Sequence, residues 1–260
     1  MTAAIPGTVY LVGAGPGDPE LLTLKAARLL ATADVVLHDD LVPQAVLSHA
    51  ASALVINVGK RCGKKNITQA QIEAMMVDYA RRGLSVVRLK SGDPLVFGRA
   101  GEEIDALVAA GIPHEVVPGI TAAFAAAAAL RRPLTDRRSA SSISFSSGHH
   151  APGSTLEPAS LLGATRVIYM PGRELSGIAA QLRSEGHPTD LPCVIVSRAA
   201  QPDQQIVRTT LERLDHLAAV PAPSILLAGE ALREAQSDSV SELLARQADV
   251  LQVEIQPTEL

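Results

Sequence analysis

Four stretches of the chain combine residue types that could do chemistry. Gly13-Ala14-Gly15-Pro16-Gly17-Asp18 lies between an apolar run and a helical pattern, where a dinucleotide fingerprint would stand. Its details argue against a phosphate. Phosphate binding uses free backbone N–H groups at the positive end of a helix, but Pro16 removes a donor, and Asp18 and Glu20 flank Pro19 in the first turn. Carboxylates there satisfy the field of the helix end and repel a pyrophosphate. A tight strand-to-helix turn explains this stretch equally well by itself, although its glycines indicate that backbone must approach something closely. The other three stretches are His38-Asp39-Asp40, Ser91-Gly92-Asp93-Pro94 continuing into Phe97-Gly98-Arg99, and Pro118-Gly119-Ile120-Thr121-Ala122. Each follows a strand-like run, and open α/β sheets bind ligands beyond the carboxyl ends of their strands. Gly and Pro punctuate every such protein, so each loop alone is weak. Together they outline a cleft of backbone amides and carbonyls with few formal charges, suited to a compact ligand such as a nucleoside.

Two cationic clusters complete the inventory. Gly59-Lys60-Arg61-Cys62-Gly63-Lys64-Lys65 holds four cations, and Arg131, Arg132, Arg137 and Arg138 form the second group. A solvated loop is the ordinary explanation of such runs. The functional one is a rim that grips carboxylates by charge-assisted hydrogen bonds, and a multiply acidic substrate would use both clusters. His149 and His150 follow Gly148 without Cys, Asp or Glu at metal spacing, so hydrogen bonding is expected there and no metal. No nucleophile elbow, P-loop or zinc-hydrolase helix is present. Cys62 and Cys193 lie far apart and lack the paired spacing of a structural zinc site or a disulfide framework.

Short apolar runs alternate with amphipathic segments to position these loops. Strands are expected at Val9–Val12, Val35–Leu37, Leu54–Val58, Leu84–Leu89 and His114–Val117. Helices are expected at Pro19–Ala31, from the capping box Thr68-Gln69-Ala70-Gln71 to Arg82, and at Gly101–Ala110. Such alternation builds a parallel sheet covered on both faces. Past the seam at Arg131–Ser139 a mixed α/β domain is expected. Its strands are Ile143–Phe145, Arg166–Met170, Cys193–Val196, Ile206–Thr210 and Ser224–Ala228, with helices at Glu174–Glu185 and Leu211–Ala219. The period of two in Ile206–Thr210 suits an antiparallel strand with one wet face. The division is therefore 1–135, 136–235 and a tail at 236–260 that carries one helical pattern, Val240–Gln247.

The 260 residues are 47% hydrophobic but only 2% aromatic, so the core must be aliphatic. A formal charge of -4 gives no basic excess for a polyanionic partner, and a nucleic-acid binder is not expected. Met1–Pro6 lacks a basic start, and the longest apolar run, Ala122–Leu130, is about half a membrane span. A cytoplasmic protein without membrane contact is the expectation.

The ordered motifs Val12–Lys25, Val58–Gly63, Gly92–Arg99 with Gly101–Glu103, and Val117–Ala123 resemble those of the tetrapyrrole methylases, over about residues 8 to 230. Within that family the resemblance is to the branch that methylates uroporphyrinogen III at two ring carbons. It implies a two-domain α/β homodimer with S-adenosyl-L-methionine held between the domains and S-adenosyl-L-homocysteine released. It also implies that Pro16, Ser91, Gly92, Asp93, Val96, Thr121, Ala122, Met170, Ala199 and Ala228 touch the cofactor. Asp39 and Lys60 match positions of proton transfer, while Lys60, Arg61, Arg99, Arg137 and His149 would meet the acidic substrate. Ser91, Ala100 and Ala199 stand where the family usually has Gly, and His38 where it often has Tyr. A left-handed backbone at 91 or 100 would be costly with a side chain, so those turns are expected to be compatible or rearranged. Methylation of a later precorrin is the nearest alternative. A non-catalytic tetrapyrrole carrier and a nicotinamide oxidoreductase, the latter resting on glycine spacing alone, are further ones.

Overall fold

The computed structural model describes residues 3–59, 67–148 and 162–233. Lys60, Arg61, Cys62, Lys64, Lys65, His149, His150 and the helical pattern at Val240–Gln247 lie outside the described residues. Among the described residues no helix is long and apolar enough to cross a membrane.

The first sheet contains β1 (Val9–Gly13), β2 (Val35–His38), β3 (Leu54–Asn57), β4 (Val86–Lys90) and β5 (His114–Val117), in the order β3-β2-β4-β1-β5 and parallel throughout. The three inner strands are buried along their whole length, as helices on both faces require. Side chains alternate between two cores. Tyr10, Val12, Val36, Val87 and Leu89 pack on the face of α1 (Leu24–Thr32) and α2 (Gln44–Leu47). Val9, Leu11, Val35, Leu37 and Val86 pack on the face of α3 (Gln69–Arg81) and α4 (Ala100–Ala109). The same period of two aims Arg88 and Lys90 at this second face. The capping box of α3 closes reciprocally between Thr68 and Gln71, and Gly83 follows its C-cap at φ 81°.

The expected helix Pro19–Ala31 is corrected to two pieces, a 3-10 turn at Pro19–Leu21 and α1 from Leu24. Two caps compete in this stretch. Asp18 accepts from the Glu20 N–H, Thr23 accepts from the Ala26 N–H, and Leu22 between them is extended.

The second sheet holds β6 (Ser142–Ser147), β7 (Ala164–Tyr169), β8 (Pro192–Ser197), β9 (Gln205–Thr210) and β10 (Ser224–Ala228), ordered β6-β7-β10-β8-β9. Only β6 and β7 run parallel, so the sheet is mixed, and β9 is the antiparallel edge strand. The helix α5 (Ala122–Leu130) leaves the first sheet and packs on the second. Its Ala123, Ala126 and Leu130 meet Val167, Val194, Val196, Ile225 and Leu227. A run of alanines lets helix and sheet approach closely, and this contact couples the two halves. The other face of the second sheet is covered by α6 (Ser176–Ser184). The expected helix Leu211–Ala219 is corrected to a 3-10 segment, Leu211–His216. Leu211 and Leu214, both fully buried, are three residues apart, the period of a 3-10 turn. Cys193 is buried in this half, and burial pushes its thiol up to about 12, so it packs rather than reacts.

Candidate active site

The carboxyl ends of β1, β4 and β5 meet in a contact of bare backbone. A Cβ on Gly13 would lie 2.6 Å from the Gly119 Cα and 2.7 Å from the Gly92 oxygen. Gly15 and Gly92 exchange backbone hydrogen bonds, Gly15 N to Gly92 O at 3.2 Å and Gly92 N to Gly15 O at 2.7 Å. The close approach signalled by the glycines is therefore an approach of the loops to one another. Asp93 braces it, its Oδ2 accepting from Gly119 N at 3.0 Å and its Oδ1 from Leu95 N at 2.8 Å.

This platform faces the end of the second sheet across an open cleft. Pro16, Ser91, Gly92, Asp93, Val96, Thr121 and Ala122 line the first wall; Met170 and Ala199 line the second. Hydrogen bonds cross it: Gln201 Nε2 donates to Pro16 O at 3.1 Å, and the Tyr169 hydroxyl pairs with that of Thr121 at 2.6 Å and bonds the Ala123 backbone. Burial raises the Tyr169 pKa against the opposing pull of Thr121, so the phenol stays neutral. Ala228 does not line this cleft. It is fully buried at the far end of β10, paired with Cys193 and Arg166. Because β10 runs antiparallel to β8, its first residues, Ser224 and Ile225, reach the cleft instead.

Left-handed backbone gathers here. Phe97 (φ 52°), Arg99 (φ 56°), Met170 (φ 49°), Arg198 (φ 50°) and Ala200 (φ 58°) are five of the six non-glycine residues with positive φ among the described residues. Each costs roughly 1–2 kcal/mol, and such strain collects where loops are shaped for a ligand. Neither Ser91 nor Ala100 is among them, so both family glycine positions accept a side chain here. Ala199 is not left-handed either; its neighbours on both sides are. Ala200→Gly is accordingly expected to stabilise the protein by about 0.5–1 kcal/mol, the relief of left-handed strain less the added chain entropy of glycine. Thermal denaturation of parent and variant would check this; an unchanged or lower midpoint would contradict it.

Sequence reasoning missed a buried ionic chain beneath the cleft. Lys90 Nζ donates to Glu103 Oε2 at 2.8 Å, Arg88 Nε donates to Glu103 Oε1 at 2.9 Å, and an Arg88 terminal nitrogen donates to Asp39 Oδ1 at 2.5 Å. The side chains of Lys90, Arg88 and Glu103 are 3%, 3% and 1% exposed, against 31% for Asp39. Burial opposes the Arg88 charge, but Asp39 and Glu103 outweigh it and raise its pKa. Burial and the Arg88 charge together lower the pKa of Lys90. The signal was present: alternate cations inside a strand that must be buried on both faces demand an internal counter-charge.

Asp39 opens onto both the main cleft and an adjoining cavity lined by Arg88, Lys90, Gly98 and Arg99. His38 supports the same loop, its Nδ1 hydrogen-bonded to the Asp39 carbonyl at 2.9 Å. The Arg99 guanidinium forks onto Glu102 at 2.6 and 2.9 Å. Arg137 is solvent-exposed and lines neither cavity. Lys60, Arg61 and His149 lie outside the described residues.

Residues 8–215 match the family described as Tetrapyrrole (Corrin/Porphyrin) Methylases. A protein of Methanosarcina barkeri named S-adenosyl-L-methionine-dependent uroporphyrinogen III methyltransferase is 46% identical over 233 residues, 86% of this chain and 91% of that one. Siroheme synthase 1 of Klebsiella pneumoniae is 44% identical over 87% of this chain, which spans only 49% of that protein. The crystal structure of uroporphyrin-III C-methyl transferase from Thermus thermophilus, complexed with S-adenyl homocysteine, superposes with a TM-score of 0.78 at 39% identity, covering 92% of this chain and 99% of that one. The chain belongs to the tetrapyrrole methylases.

Proposed function

We propose that the protein transfers methyl groups from S-adenosyl-L-methionine to two ring carbons of uroporphyrinogen III, giving precorrin-2 for siroheme or cobalamin synthesis. The charge of the cleft is the observation that carries this. Among the described residues its lining has two carboxylates, Asp93 and the Arg88-paired Asp39, and one guanidinium, Arg198, which is paired with Asp203. That balance suits a sulfonium cation, and a platform of packed loop backbone with capped N–H groups does not suit a pyrophosphate. Relatives named for this reaction align over most of the chain, and a structural relative carries the demethylated cofactor.

Pro16, Ser91, Gly92, Asp93, Val96, Thr121, Ala122, Met170 and Ala199 would hold the cofactor. When bound, it supplies an electrophilic methyl on sulfur. The residues of the cleft then have to align an electron-rich ring carbon with that methyl and exclude water, which is the main source of rate when no acid or base is needed for bond formation. Methylation leaves the ring system positively charged, and a proton must depart. Asp39 Oδ2 takes it, since Oδ1 is held by Arg88. Lys60 is the second proton-transfer residue on this proposal. Lys60, Arg61, Arg99, Arg137 and His149 would bind the acetate and propionate arms, with Arg99 exchanging Glu102 for a substrate carboxylate. We place the enzyme in the cytoplasm as a homodimer. The exposed aromatic row Phe97, Phe124 and Phe145, linked through Tyr169, supports a covered face.

Anaerobic incubation with methyl-labelled S-adenosyl-L-methionine and uroporphyrinogen III tests the proposal. Two labelled methyl groups per tetrapyrrole are expected. Transfer only to a later precorrin would replace the substrate assignment. Tetrapyrrole binding without any transfer would make the protein a carrier.

A further inference from the structure

We propose that Glu103 acts through Arg88 as a positioning residue for methyl transfer, holding the carboxylate of Asp39 in the orientation from which it takes the proton. This rests on the role of Asp39 proposed above. Arg88 and Lys90, alternate residues of β4, meet the first turn of α4, where Glu103 gives one carboxylate oxygen to each. Arg88 then has three of its other four N–H donors fixed as well, to the Leu37 and Leu89 carbonyls at 3.3 and 3.4 Å and to Asp39 Oδ1 at 2.5 Å. The planar guanidinium cannot turn without breaking the bond to Glu103, so its far edge is a rigid rest for Asp39. The Asp39 backbone N–H is anchored on the same strand, to Leu89 O at 3.2 Å. Only Oδ2 is left without a partner among the described residues, on a side chain that opens to the cleft.

Stability alone does not account for the arrangement. Two cations and a carboxylate buried together are often matched or bettered by packed apolar side chains of similar volume. What apolar side chains cannot do is fix the orientation of a carboxylate in the cleft.

The double variant Glu103→Leu/Lys90→Met removes one charge of each sign together with the acceptor of Arg88 Nε, and leaves Arg88 and Asp39 balanced. With uroporphyrinogen III and S-adenosyl-L-methionine, its kcat is expected to fall about 100-fold, the cost of a misplaced reacting group. Both KM values, the affinity for S-adenosyl-L-homocysteine and the thermal midpoint should stay at parent levels. Arg88→Lys keeps the charge, but one ammonium cannot span both carboxylates, so kcat is expected to fall as far and not be rescued. Parent-like kcat in either variant would overturn the role of Glu103. Should the double variant fail to fold, Glu103→Asp decides: the shortened carboxylate lowers kcat at unchanged KM if Glu103 positions Arg88, and a parent kcat there overturns the idea. Asp39→Asn, assayed alongside, separates the two claims. If it stays active, the proton-acceptor role of Asp39 fails; if it is inactive while the others turn over normally, only the role of Glu103 fails.

Discussion

Replacing Asp39 by Asn is expected to lower kcat for methylation of uroporphyrinogen III by about 10³-fold, within the usual range for loss of a proton-transfer group. The affinity for S-adenosyl-L-homocysteine should not change. Asn has nearly the same volume, and its Oδ1 can still accept the Arg88 hydrogen bond seen at 2.5 Å. It cannot accept the departing proton at the other position. Asp39 lies just beyond the carboxyl end of β2 and borders both the main cleft and the cavity beside it. One carboxylate oxygen can thus face the methylated ring while the other is tethered below. Steady-state formation of the deprotonated product, followed by the absorbance of precorrin-2, measures the loss, and titration calorimetry with S-adenosyl-L-homocysteine measures the retained affinity. Turnover within about tenfold of the parent would remove Asp39 from proton transfer. Loss of product affinity would show instead that the substitution damaged the cleft.

Gly119→Ala is the substitution expected to cost most stability. A Cβ there would stand 2.3 Å from the Gly92 carbonyl oxygen and 2.8 Å from the Gly13 Cα. Both are backbone atoms, so no side chain can swing aside, and the loops after β1, β4 and β5 would have to separate. Overpacking of this kind costs up to about 3 kcal/mol, which for a domain of this size is a fall of roughly 10 °C in the thermal midpoint. The cleft wall is built from those loops, so affinity for S-adenosyl-L-homocysteine should fall with it. Gly101→Ala is the control. It lies in α4 with nothing within 4 Å of its would-be Cβ, and alanine there should add about 0.5–1 kcal/mol. A Gly119→Ala protein that melts with the parent would mean that the three loops do not pack as described.

Much of the architecture is written locally. Strands β5 and β10 fall where apolar runs and turn residues put them, and the Thr68–Gln71 capping box starts α3. Each of these depends on neighbours a few residues away. Where two local signals competed, the pattern misled: Asp18 and Thr23 cap successive turns and divide one amphipathic run into two. Leu211 and Leu214 could serve an α-helix or a 3-10 turn, and burial under the second sheet chose the latter. The loops that line the cleft could be anticipated because each directly follows a strand. Ala228 could not be placed, since which end of a strand reaches a cleft depends on the direction of its partners.

By itself the sequence determined the two α/β halves and the loops that line the cleft, because caps, periodicity and the position of a loop after a strand are local properties. Only the tertiary structure decided that Gly13, Gly92 and Gly119 pack on one another, that strain gathers at Phe97, Met170, Arg198 and Ala200, and that Glu103 joins Arg88 and Lys90 beneath Asp39. Those contacts join residues from 13 to more than 100 positions apart. Their energies depend on burial and angle, which exist only once the sheet has brought the strands together.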